Sequence, residues 1–302
     1  MIDAVAFERE RPWLVGLAYR LLGSAADAED VVQEAFLRAR EVEEVRTPRA
    51  LLTTVVTRLC LDEVRSARRR REDYVGPWLP EPVATDAPAT DARAEVQESL
   101  SMAFLLLLES LSPLERAVFV LGEVFDLEMS EVAAATGRSE AACRQLLHRA
   151  REHLAAGRRR RRVEPEALQT AAGAMLMAIT AGDLDGLTRL LLDDAKVTSD
   201  HGGKARAAQR EVVGADPAAR MLIGLTRKFA RTAGHALVAW VNGTIGVLAI
   251  EDGTVTSVMV PDVVTVDGVA RVASVYVIRN PDKLARLSEA LRGGGVRDVI
   301  PA

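Results

Sequence analysis

The segment SEVAAATGRSEAACRQLLHRAR, Ser130 to Arg151, constrains this chain more than any other stretch. It has the pattern of a helix-turn-helix with Gly137 at the turn. Val132, Ala133, Thr136, Cys143 and Leu146 then fall where the motif buries small or apolar side chains between its two helices. A small residue at Ala133 suits a close helix crossing, and glycine at the turn adopts a positive φ without steric cost. The exposed face of the second helix presents Ser139, Glu140, Arg144, Gln145 and His148, with Arg149 and Arg151 close behind. Arg and Gln make bidentate contacts to guanine and adenine edges in the major groove. Taken alone, the segment also fits an ordinary helical hairpin inside a larger core.

The 302 residues are 49% hydrophobic, enough for more than one packed unit. Aromatics are 4%, so the cores must be built from Leu, Val and Ala. No apolar run reaches the roughly 18 residues of a transmembrane helix, and the charged start MIDAVAFERERPW lacks a signal-peptide core. No membrane partner is expected. Cys60 and Cys143 are far apart in helical patterns, which speaks against a disulfide framework or a thiolate metal site and for a reducing cytoplasm. The net charge of −4 is uninformative, but its distribution is not. Arg65 with Arg68 to Arg71, and Arg158 to Arg162, form two basic clusters at the ends of helical segments, suited to phosphate contact.

Apolar spacing predicts helices over about Ala4 to Leu22, Ser24 to Arg40 and Thr47-Pro48 to Arg71, with Gly23 as a stop and Ser24 as a cap. Residues 73–99 are rich in Pro, Ala, Asp and Thr and read as a linker. Helices return from Val96 to Arg162, and Ser112-Pro113-Leu114-Glu115 has the capping-box pattern. After Pro165 the character changes. Two helices, Glu166 to Ala181 and Leu184 to Leu192, precede strands at Ala195 to Thr198, Ala236 to Val241, Thr244 to Glu251, Thr254 to Val260 and Arg271 to Ile278. Asn242-Gly243 and Asp252-Gly253 are hairpin turns, so an antiparallel sheet is expected.

The two helical modules together resemble the extracytoplasmic-function sigma factors of bacterial RNA polymerase. GSAADAEDVVQEAFLRAR, Gly23 to Arg40, is similar to the region 2.2 helix that docks on the polymerase β′ clamp. The resemblance implies core-polymerase contacts by Asp27, Asp30, Val31, Gln33, Glu34, Phe36 and Leu37. LLTTVVTRLCLDEVRSARRRRE, Leu51 to Glu72, is similar to regions 2.3 and 2.4, which bind and open the −10 element. That assigns Arg58, Asp62, Arg65, Arg68 and Arg69 to the −10 side. Residues 41–72 contain no aromatic platform for unstacked bases, so weak melting and dependence on close promoter matches are expected. Leu108 to Glu152 is similar to region 4, which reads the −35 element and docks on the β flap. There Ser139, Arg144, Gln145, His148, Arg149 and Arg151 are the DNA-facing candidates.

Three further signatures resemble those of a subgroup with a C-terminal SnoaL-like domain, a cone-shaped α+β fold. They are WLPEP (Trp78, Leu79, Pro80, Glu81, Pro82), DHGGK (Asp200, Gly202, Gly203, Lys204) and NPDKL (Asn280, Pro281, Asp282, Lys283, Leu284). His201 stands where relatives usually carry Gly, and His resists the φ values that Gly allows, so the resemblance does not fix the conformation of this loop. The fold class is therefore multidomain: two all-α sigma modules, a region 2 bundle and a region 4 helix-turn-helix, followed by an α+β SnoaL-like domain. The expected boundaries are 1–72, 73–99, 100–162 and 163–302. The resemblance implies a built-in modulator and no requirement for a separate anti-sigma factor.

No enzyme, catalytic residue, metal or cofactor is expected. Of the acid–base candidates, adjacent Asp200 and His201 point to opposite faces of an extended segment, His235 starts a strand, and Asp262 follows Pro261 in a turn. Trp240, Val247, Met259 and Tyr276 either line a pocket for a small apolar ligand or pack the sheet against its helices. The rival function is a one-component helix-turn-helix regulator with a SnoaL-like sensor, which leaves Gly23 to Arg40 and Leu51 to Glu72 without a role.

Overall fold

The computed structural model describes residues 2–42, 47–87, 99–158 and 163–296, without the side chains of residues 67–72, 156–158 and 165. Arg159 to Arg162, the helix start expected at Val96 and residues 43–46 lie outside the described residues. The chain forms two compact units: residues 1–73 with 105–156, and residues 74–104 with 157–302.

In the first unit, α1 (Ala4–Leu22) begins where the Asp3 carboxylate accepts the Ala6 N–H at 2.7 Å, and it ends at Gly23, φ +70°. Helix α2 (Ala25–Arg40) starts with Ser24 Oγ accepting the Asp27 N–H at 3.2 Å. Helix α3 (Pro48–Glu72) carries Pro at its first position, where a missing N–H leaves no bond unmade. Leu14, Leu17, Val32, Ala35, Leu52 and Val56 are fully buried in these three helices. Burial of each larger side chain stabilises by about 1.5–3 kcal/mol.

Helix α4 (Met102–Glu109) leads to α5 (Pro113–Phe119), which has the expected capping box: Ser112 Oγ accepts from Glu115 N, and the Glu115 carboxylate accepts from Ser112 N at 3.1 Å. That carboxyl sits below its usual pKa because the Ser112 hydroxyl also donates to it. The run continues through a π-helical turn, Val120–Val124. Then come α6 (Met129–Thr136) and α7 (Glu140–Arg158), joined through Gly137 at φ +65°. Val132, Thr136 and Cys143 are buried as expected, but Leu147 is the core side chain and Leu146 and Ala133 are only half-buried. The inward face of α7 runs Cys143, Leu147, Ala150, Leu154, the i, i+4, i+7, i+11 spacing of one helical stripe.

The second unit holds α8 (Pro165–Ala181), α9 (Leu184–Leu190), α10 (Ala215–Phe229) and α11 (Pro281–Arg292). Its six-stranded sheet comprises β1 (Leu191–Asp200), β2 (Val212–Val213), β3 (His235–Val241), β4 (Thr244–Glu251), β5 (Thr254–Val266) and β6 (Val269–Ile278), in the order β2-β1-β6-β5-β4-β3. The sheet is mixed, not antiparallel. β1 runs parallel to β6, and the remaining pairs are antiparallel. The hairpins from β3 to β6 enforce antiparallel pairing there, whereas β1 reaches its place by a long connection that leaves either direction open. Asn242-Gly243 and Asp252-Gly253 are tight turns with both residues at positive φ, and Asp267-Gly268 is a third.

Met175, Leu187, Val197, Leu222, Val275 and Val277 centre the core between the sheet and α8, α9 and α10. Register places Val247, Met259 and Val277 on that same face, while Tyr276 pairs with Val260 on the other. Trp240 packs on Ile245 and Ala172. By register Trp240, Val247 and Met259 therefore share one face, and Tyr276 lies on the other. Pro261-Asp262 is likewise not a turn but lies inside β5, at an irregularity in its pairing with β6.

Candidate functional site

Helix α7 presents the DNA-reading candidates. Ser139 caps it, with Oγ accepting the Ala142 N–H at 3.3 Å. Arg144, Gln145 and His148 are exposed on one side of the helix. Arg144 pairs with Glu140 at 2.6 Å, and His148 lies 3.3 Å from Glu152. Both pairs are i, i+4 contacts at the surface, worth a few tenths of a kcal/mol, so DNA can displace them. Arg149 and Arg151 are exposed as well, but their partners lie on the preceding elements. Arg149 pairs with Glu115 at 3.4 Å, and Arg151 pairs with Glu123.

On α3, Arg58, Asp62 and Arg65 are exposed. Asp62 accepts from Arg65 at 3.2 Å, and Arg58 donates to the Ala134 carbonyl at 3.3 Å. The side chains of Arg68 and Arg69 lie outside the described residues. On α2, Asp30, Gln33 and Leu37 are exposed, Leu37 by 56%. Asp27 and Glu34 are half-buried. Val31 is buried with Val32 and Ala35, so it offers no docking surface. Phe36 stacks on Phe7 with ring centroids 4.2 Å apart and serves chiefly to hold α2 to α1.

In the second unit, the three short signatures meet at one carboxylate. Asp200, at the end of β1, is fully buried. Its Oδ1 accepts from Tyr74 Oη at 2.5 Å; its Oδ2 accepts from the Leu79 N–H at 2.8 Å and from Lys283 Nζ at 2.6 Å. Lys283 also donates to the Leu79 carbonyl and lies 4.3 Å from the Trp78 ring centroid. Asn280 Nδ2 donates to Tyr74 Oη at 2.8 Å. Burial and the neighbouring Asp200 carboxylate push the Tyr74 phenol well above its ordinary pKa. Leu79, Pro80, Glu81 and Pro82 are buried, and Leu284 is buried on α11.

Backbone geometry makes this approach close. Gly202 and Gly203 have φ of +55° and +73°, and a Cβ on Gly202 would lie 2.4 Å from Asn280 Nδ2. His201 is not among the positive-φ residues, so the glycines carry the bend. Its ring is buried instead against Gly76, where a Cβ would meet Nε2 at 2.6 Å, and Nδ1 accepts the Gly203 N–H at 3.0 Å. Lys204 pairs with Asp282 at the surface. His235 is exposed at the start of β3.

A second patch was not foreseen. Asn242 was read only as a turn residue, yet its Oδ1 accepts the Val83 N–H at 3.0 Å and its Nδ2 donates to the Leu100 carbonyl at 2.9 Å. Ala84 bridges Val241 antiparallel, and Thr85 N–H donates to the Trp240 carbonyl at 3.0 Å. Residues 83–85 of the stretch expected to be a spacer thus pair with the backbone at the end of β3. Tyr74 and Asn242 carried no recognisable signal beyond their nearness to WLPEP and to a glycine.

Comparison with known proteins agrees with this geometry. Residues 6–70 match the Sigma-70 region 2 family and residues 101–154 the Sigma-70, region 4 family. The chain is 42% identical over 292 residues, 93% of both chains, to the ECF RNA polymerase sigma factor SigJ of Mycobacterium tuberculosis. It is 32% identical, over 96% of this chain and 98% of the other, to the probable ECF RNA polymerase sigma factor SigI of the same species. The crystal structure of M. tuberculosis SigJ superposes with a TM-score of 0.72 at 38% identity, covering 94% of this chain and 98% of that one. The chain belongs to the extracytoplasmic-function sigma factors. It is an alternative sigma factor, a transcription initiation factor of the kind that binds core RNA polymerase and promoter DNA. The segments left without a role by a one-component regulator are its region 2. No helix among the described residues is long and apolar enough to cross a membrane.

Proposed function

We propose that the SnoaL-like unit modulates this sigma factor from within by holding the segment between regions 2 and 4. The observation that carries the reading is Asp200: one buried carboxylate with three donors, two of them on residues 74–79 and one on Lys283. In this reading the working parts are region 2 (1–72), a linker (73–99), region 4 (100–162) and a regulatory, non-enzymatic domain (163–302). Asp30, Gln33 and Leu37, flanked by Asp27 and Glu34, dock on the β′ clamp, and region 4 docks on the β flap. Arg144, Gln145 and His148 read the −35 element, while Arg58, Asp62 and Arg65 with the following Arg68 and Arg69 serve the −10 side. The protein works in the cytoplasm, where its polymerase is, and no separate anti-sigma factor is required.

The test is run-off transcription on fragmented genomic DNA with core polymerase alone, with the full chain, and with a chain ending at Arg162. New discrete transcripts from both forms at different yields support the reading and give the sign of the domain's effect. Equal yields and equal polymerase affinity would refute the modulatory role.

A further inference from the structure

Of the four histidines in the chain, His148, His153 and His235 are exposed and His201 is buried. The His201 ring lies in the linker dock, between the Gly202-Gly203 bend and Gly76. Its Nδ1 accepts the Gly203 N–H at 3.0 Å, so a neutral ring must carry its proton on Nε2. That nitrogen is buried and has no hydrogen-bond partner among the described residues. It sits where a Cβ on Gly76 would lie 2.6 Å away, so the linker backbone passes directly over it.

A second proton has no place in this arrangement. It would go on Nδ1, turn the acceptor into a donor aimed at the Gly203 N–H, and set a charge in a buried site. The charged and titratable groups of the surrounding elements do not compensate for it. On the ring's own loop, Asp200 takes three donors and Lys204 pairs with Asp282. On the linker, Tyr74 donates to Asp200, and Glu81 is buried. At the start of α11, Lys283 pairs with Asp200, and the Arg279 guanidinium just before it donates to the Arg206 carbonyl. The carboxylates of Asp200 and Asp282 are each matched by a lysine, which leaves burial and the Gly203 contact to decide the protonation of the ring.

We infer that His201 is a proton-operated catch on the linker: protonation drives its ring from beneath Gly76 and loosens residues 74–79 from the SnoaL-like unit. The effect on transcription rests on the modulatory reading proposed above; the release itself does not. The docked linker holds the neutral ring, whereas a lifted linker lets the ring reach water and take up a proton. A ligand that binds one of two states shifts the equilibrium toward that state, and the proton is such a ligand here. Docking is therefore at full strength at neutral pH and above. It weakens as pH falls below about 6.5, where free imidazole becomes charged, by up to about tenfold per pH unit for one proton.

The test is hydrogen exchange at Leu79 in the full chain from about pH 8 to about pH 5, corrected for the intrinsic pH dependence of exchange, with the His201 ring followed by nitrogen-15 NMR. The Leu79 N–H is bonded to Asp200, the residue next to His201, and so reports the dock. Protection that falls in step with protonation of the ring is the expected result. Protection that stays level across the range overturns the inference, and so does a protonated ring beneath a protected Leu79. His201→Asn keeps a side-chain acceptor near the Gly203 N–H but takes up no proton, so its protection is expected to be flat with pH. A fall equal to that of the wild type would assign the effect to another group and overturn the catch. Loss of the dock in His201→Asn at every pH leaves the wild-type titration to decide, since the other three histidines are exposed.

Run-off yield of the wild type relative to His201→Asn, at about pH 6 and about pH 7.5, then reads the consequence, because both forms share the polymerase's own response to pH. A ratio that changes between the two supports the catch as a regulator. Linker release at the lower pH with an unchanged ratio counts against the modulatory reading and leaves the catch in place.

Discussion

Asp200→Ala is the sharpest perturbation of the linker dock. The wild-type carboxylate accepts from Tyr74 at 2.5 Å, from Lys283 at 2.6 Å and from the Leu79 N–H at 2.8 Å, with no exposure to solvent. The variant takes the Asp200 carboxylate away from the mostly buried Lys283 ammonium, which stays beside two aromatic rings and the Leu79 carbonyl. Removing one partner of a buried pair costs about 3–5 kcal/mol, because the surviving charge stays desolvated. If linker docking alone absorbs that cost, the opening constant rises by roughly 10²–10³ or more. The Leu79 amide reports it directly, since its hydrogen-bond acceptor lies 121 positions away in sequence. Hydrogen exchange at Leu79 is expected to accelerate by that factor, and at Val83 in step, while α8 and α10 stay protected. Asp200→Asn keeps an acceptor of the same shape and removes the charge. Full protection at Leu79 in Asp200→Asn would refute the electrostatic argument, and unchanged protection in Asp200→Ala would refute the dock itself.

The raised Tyr74 pKa has a defined sign. A neutral phenol stabilised in the folded state contributes fully below the unfolded value of 10 and is lost as pH rises from there toward the folded pKa. Linker protection is therefore expected to fall at alkaline pH as well, and Tyr74→Phe abolishes that step, as a titration of phenolate absorbance against Leu79 exchange will show. Replacing Arg144 by Ala is expected to cost about 1–3 kcal/mol and relax preference at one −35 position. An unaltered footprint across a promoter library excludes base reading by that side chain.

Helices with strong local punctuation were legible in the sequence. Gly23 ends α1, Ser24 starts α2, and Ser112 with Glu115 starts α5; each signal is a residue bonding to its own helix end. The Leu146-for-Leu147 exchange is a different matter, because two adjacent leucines satisfy apolar spacing equally and only the crossing with α6 decides which turns inward. Sheet direction was illegible for a similar reason. Hairpin turns dictate β3 to β6, but nothing local to residues 191–200 states that β1 pairs parallel to β6. Helix α10 also went unread: it buries Ala215, Ala218, Ala219, Leu222 and Ile223, three small residues among five. For the DNA-facing residues, the sequence supplied the helix and its polar stripe. It did not separate Arg144 and His148, paired within α7, from Arg149 and Arg151, which bind carboxylates on the preceding elements.

The three signatures show why sequence reading stopped where it did. WLPEP, DHGGK and NPDKL are separated by more than a hundred residues and then by some seventy, and each looks like a self-contained motif. In the folded unit they are parts of one site, since Leu79, Asp200 and Lys283 exchange hydrogen bonds with one another. This also settles the chemistry open to Asp200. A general base must reach the proton it removes, and this carboxylate is engaged by three donors and has no solvent contact. The glycines obey the same logic. Gly202 and Gly76 are required because a Cβ at either would strike Asn280 or His201, side chains of the dock itself. Asp200 and its neighbours thus bring two backbones close around a buried charge, and on the reading proposed above they hold the segment between regions 2 and 4.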